Sequence, residues 1–72
     1  MKTVVEVFKT NVQQEEEAQK ILQQLAVHFP THQINFDLSD SDKILRVEGT
    51  TILPGKIIAL LDRNNYECVV LE

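Results

Sequence analysis

The spacing of apolar residues changes period several times along the chain, and each change marks an element. Met1 to Lys9 is rich in β-branched residues (Thr3, Val4, Val5, Val7) and reads as a strand. Val5 and Val7 share one face and Val4 and Phe8 the other, so both faces carry apolar candidates and the pattern leaves the buried one open. From about Gln14 the period becomes helical: Ala18, Ile21, Leu22, Leu25 and Phe29 recur on one side, with Gln, Glu and Lys filling the rest. Glu15, Glu16 and Glu17 fall in the first turn, where the helix dipole favours negative charge. Pro30 is the predicted stop, because the residue before a proline avoids helical backbone angles.

Ile34, Phe36 and Leu38 alternate with Asn35, Asp37 and Ser39, the signature of a strand with one buried face. Ser39 to Asp42 is turn chemistry, since short polar side chains bond back to their own backbone. Lys43 to Gly49 is a further strand, joined tightly enough to the previous one to make an antiparallel hairpin. A second helix begins near Pro54, with Ile57, Ile58, Leu60 and Leu61 as its buried stripe. Asn64-Asn65 suits the left-handed backbone that ends a helix, and Tyr66 to Leu71 is the last strand. The order is β-α-β-β-α-β. Its compact solution is an α+β, ferredoxin-like βαββαβ sandwich: a four-stranded antiparallel sheet with two helices on one face.

Seventy-two residues make a single domain spanning 1–72. With 43% hydrophobic and 25% charged residues, there is enough apolar surface for a folded core. The formal net charge of −4 and the scattered lysines and arginines argue against nucleic acid or an anionic membrane as partner. The longest apolar run, Ile57 to Leu61, is too short to cross a bilayer, and Glu6 sits where a secretory signal would be apolar. The expected compartment is therefore the cytoplasm. A lone cysteine excludes an internal disulfide.

Three stretches carry a family resemblance: Ile21-Leu22-Gln23-Gln24-Leu25, the hairpin Ile34–Leu38 to Leu45–Gly49, and Ile57–Leu61 followed by Asn65-Tyr66-Glu67. Together they make nearly the whole chain similar to the heavy-metal-associated domain of small copper chaperones and metal-pumping ATPases. The resemblance implies the fold already read from the periodicity. It also implies a Met-x-Cys-x-x-Cys loop after the first strand, whose positions fall near Val12, Gln14 and Glu17. No cysteine lies near that loop. Soft thiolates select Cu(I), and an amide with a carboxylate cannot replace them. The family's metal relay is not expected here.

Other residues are site candidates by residue type. Glu17, His28, His32 and Cys68 are weak candidates for a metal such as Zn(II), although Pro30 breaks the helix that would align the histidines. Cys68 alternates with Tyr66 and Val70 in a strand, where a small hydrophobic role is expected. Asp37 to Asp42 lacks the glycine and distal glutamate of a calcium loop. No nucleophile-base pair or glycine-rich phosphate loop occurs, so neither catalysis nor a cofactor is expected.

The sequence thus points to a non-enzymatic binding module with a degenerate metal loop, working through a protein partner or self-association. The expected contact surface is Asn11, Val12, Gln13, Gln14, Glu15 and Glu17, together with the exposed sheet face. The alternatives are a Zn(II) site built from Glu and His, and a small-molecule-sensing module. The latter is disfavoured by the absence of glycine in Thr10-Asn11-Val12.

Overall fold

The computed structural model describes residues 2–71. Its elements follow the expected order: β1 (Val4–Thr10), α1 (Glu15–His28), β2 (Gln33–Asp37), β3 (Ile44–Gly49), α2 (Pro54–Arg63) and β4 (Cys68–Val70). The fold is α+β, with one four-stranded sheet in the order β2-β3-β1-β4 and two helices. All three neighbouring pairs are antiparallel. It follows that β2 runs parallel to β1 with β3 between them, and β4 parallel to β3 with β1 between them. Each strand-helix-strand unit therefore skips one place in the sheet, and the other unit fills the gap. No helix among the described residues is long and apolar enough to cross a membrane.

Register decides which face of β1 is buried. Phe8 pairs with Leu45 and Val70, and Glu6 with Val47, so these side chains share a face with Ile34 and Phe36 of β2. Phe8, Leu45 and Val47 are fully buried there, beneath Ala18, Ile21 and Leu25 of α1 and Ile57, Leu60 and Leu61 of α2. Both helices thus cover one face. Val5, Val7 and Lys9 turn the other way, onto a sheet face that no element covers.

Several boundaries differ from the sequence reading for local reasons. The expected start of the first strand at Met1 lies outside the described residues. Phe29 caps α1, with its N–H donating to Leu25 O, and does not extend the helix. Asn65 does take the left-handed conformation (φ 69°), while Asn64 closes α2 with φ −93°. The last strand shortens to Cys68–Val70, because Tyr66 N–H is drawn back to Leu61 O at the end of the helix. Leu71 still donates to Val7 O at 2.8 Å.

The hairpin turn is held by its own side chains. Asp37 Oδ1 accepts from Ser39 N–H and Oγ–H at 3.2 and 2.6 Å, and Asp40 Oδ1 accepts from Asp42 N–H at 2.9 Å. Lys43, unusual at φ 49°, spans the turn by donating from Nζ to Leu38 O at 3.0 Å.

Gly49, by contrast, is required by space. A Cβ there would lie 2.7 Å from Cδ2 of His32, whose ring is fixed by Nε2–H donating to Thr51 O at 2.6 Å and by an edge contact with Phe29. Gly49→Ala is expected to destabilise the fold by about 1–3 kcal/mol, the usual cost of overpacking. In urea unfolding, His32→Ala should remove most of that loss when combined with it. Additive effects would show that the ring is not the obstacle.

Candidate functional site

The loop between β1 and α1 is locked from both ends. Thr10, a buried polar residue, donates Oγ1–H to Lys43 O at 2.6 Å and accepts from Val12 N–H at 3.2 Å. Asn11 Oδ1 accepts from Glu67 N–H at 2.8 Å, which ties the loop to the approach of β4. Glu17 reaches back over the start of α1 and accepts from the N–H groups of Gln14 and Gln13 at 3.2 and 3.4 Å. The hydroxyl of Tyr66 and these two amides hold its carboxyl below the usual glutamate range, and the same contact pushes the Tyr66 phenol up.

This geometry revises the expected contact surface. Val12 is fully buried in the core, where it plugs the space between the loop and the sheet, and it presents nothing to a partner. Asn11, Gln13, Gln14 and Glu15 are exposed, while Glu17 is half-buried and committed to capping. Glu16, in the same first turn of α1, is exposed beside them.

The weak metal candidates do not converge. Glu17 sits at the start of α1 and His28 at its end. Phe29 contacts both imidazoles, with ring centroids 6.4 Å from His28 and 5.4 Å from His32. Nε2 of His32 is already bonded, and its Nδ1 is buried without a partner among the described residues. Cys68 is 8% exposed on β4, and burial pushes its thiol up to about 12. Among the described residues no three His, Cys, Asp or Glu side chains gather in a metal-holding group. The aspartates of the hairpin turn are engaged with their own backbone, and Ser39 lowers the Asp37 carboxyl.

The uncovered sheet face is the more distinctive surface. Val7 lies opposite Leu71, and Val5 precedes it on β1, while Lys9 pairs with Val69. Val5, Val69 and Leu71 are 44%, 58% and 41% exposed, which makes an apolar strip toward the free edge of β4. Beside it the charges come in opposite-sign pairs: Lys9 Nζ is 3.8 Å from Asp42, and Arg46 is 3.8 Å from Glu48. Alternation along β4 was visible in the sequence. That Val5 and Val7 join it was not, because either face of β1 could have been buried.

Two measurements follow. A thiol held near 12 reacts slowly at pH 8, so Cys68 should resist a disulfide reagent in the native protein and react fully in denaturant; rapid native labelling would contradict its burial. Glu17 has a folded pKa below its unfolded value of 4.5, so its contribution to stability is complete above pH 4.5 and fades as the pH falls through the folded value. Glu17→Gln should therefore be less stable than the parent at pH 7, with the gap narrowing in acid; a gap constant with pH would mean the charge plays no part.

Compared with protein-family models, curated proteins and solved structures, the chain gives no significant match.

Proposed function

We propose that this chain is a small non-enzymatic binding module of ferredoxin-like topology that works through protein contacts, its open sheet face pairing with a second copy. The topology reading is supported by the strand order β2-β3-β1-β4 and by two strand-helix-strand units that each skip a strand. The strip of Val5, Val7, Val69 and Leu71 carries the functional reading. It places large apolar side chains on the one face of the sheet that the helices leave bare. A two-fold partner presents the same surface, so Arg46 and Glu48 of one copy would meet groups of opposite sign on the other.

A stable dimer needs about 800 Å² from each partner. That is roughly a sixth of the 4930 Å² surface of this chain. The exposed loop residues Asn11, Gln13, Gln14 and Glu15 lie beyond the β1 end of this face and extend the contact surface. The Zn(II) alternative lacks support, because Glu17 is committed to capping and the histidines and Cys68 stay apart. The resemblance to heavy-metal-associated domains therefore bears on the architecture and not on a metal.

Sedimentation equilibrium tests this directly. The parent should shift from monomer to dimer as its concentration rises through the micromolar range. Val5→Glu with Val69→Glu should stay monomeric with an unchanged melting curve, since both side chains are on the exposed face. A parent that remains monomeric into the millimolar range would remove the self-association reading.

A further inference from the structure

On the opposite side of the molecule, the two helices leave a groove of about 490 Å³ between the end of α1 and the length of α2. Its floor is apolar, formed by Phe29, Ala59 and Leu60, with Leu53 46% exposed at its lip. Its rim is His28, Lys56 and Arg63, and no carboxylate lines it. In a chain with eleven acidic residues and a net charge of −4, this is a local reversal of sign.

Four features separate this groove from an ordinary solvated seam. Lys56 and Arg63 are seven residues apart on α2, which puts them on one stripe about 10.5 Å from each other along the axis. Ala59, small and exposed, lies between them and allows close approach of another backbone. Neither cation is in an ion pair among the described residues. Lys56 also sits in the first turn of α2, where the dipole disfavours a cation and where no acidic residue compensates. An anion at the groove would relieve that mismatch.

We propose that this groove binds an acidic amphipathic helix of another protein. Two carboxylates two turns apart on that helix would meet Lys56 and Arg63, and apolar residues between them would descend onto Phe29 and Leu60. The spacing favours a helix over a small anionic amphiphile, because a single headgroup reaches one cation and leaves the other about two helical turns away. The open sheet is on the other layer of the fold, so this site does not depend on self-association.

The test uses a labelled, alanine-rich helical peptide with two glutamates seven residues apart and two leucines between them, followed by fluorescence anisotropy against the full chain. Binding should weaken with added salt, and should fall at least about tenfold in Lys56→Gln with Arg63→Gln, the scale of losing two exposed charge pairs. Lys2→Gln with Lys20→Gln, which carries the same change in charge away from the groove, should bind like the parent, as should Val5→Glu with Val69→Glu. A peptide with glutamine in place of both glutamates should bind as weakly as the Lys56/Arg63 variant. Equal loss in the Lys2/Lys20 control would reduce the effect to bulk charge and overturn the proposal. So would failure of the acidic peptide to bind, or binding of decanoate through Lys56 and Arg63 in its place. Ala59→Trp provides a second readout: filling the floor should abolish peptide binding while the melting curve persists, and unaltered binding would place the peptide elsewhere.

Discussion

The single layer of side chains between one sheet face and the two helices is the constraint on which everything else in this protein depends. Phe8, Leu45 and Val47 from the sheet meet Ile21 and Leu25 from α1 and Ile57 and Leu61 from α2, each 0–1% exposed. Fully burying one such side chain contributes about 1.5–3 kcal/mol. A small domain has a net stability of only about 5–15 kcal/mol. With no second core, the loss of any one of these residues removes a large part of the margin, and α1, α2 and the sheet would loosen together.

Thr10 plays the corresponding part among polar groups. It leaves β1 on the buried face and joins three segments through two hydrogen bonds: the loop at Val12, the hairpin turn at Lys43 and its own strand. Thr10 N–H also donates to Asp42 O at 3.1 Å, which extends the β1–β3 pairing into the residues just before β3. Leaving such buried partners unsatisfied costs about 1–3 kcal/mol. The loop between β1 and α1 is therefore held by hydrogen bonding and by the burial of Val12, with Glu17 closing the start of α1.

The two outer surfaces differ in electrostatic character. The open sheet face interleaves positive and negative side chains around an apolar strip, a self-complementary arrangement. The helix groove is basic at its rim and apolar at its floor. The start of α1 with Glu15 and Glu16 is acidic and exposed. A chain of this size has little interior to spare for a pocket, so its open apolar surfaces lie on the two outer faces of its layers.

The sequence by itself determined the elements and their order, because periods of 3.6 and 2 residues are local properties that survive without tertiary context. Helix α2 begins at Pro54 as the proline indicates, and Ile57, Leu60 and Leu61 form its buried stripe. Chemistry that depends on residue type was also legible: no cysteine stands in the loop after β1, and Asp37 to Asp42 makes a turn. Tertiary structure decided what a one-dimensional pattern leaves degenerate. Val12 could have faced a partner, but it fills the end of the core. Val5 and Val7 could have been inside, but pairing of Phe8 with Leu45 turned them out. Lys56 and Arg63 looked like two scattered cations, and only the packing of α2 beside the end of α1 made them the two ends of one groove. Burial, register and the meeting of distant residues arise from contacts across the chain, and those exist only once the single core has closed.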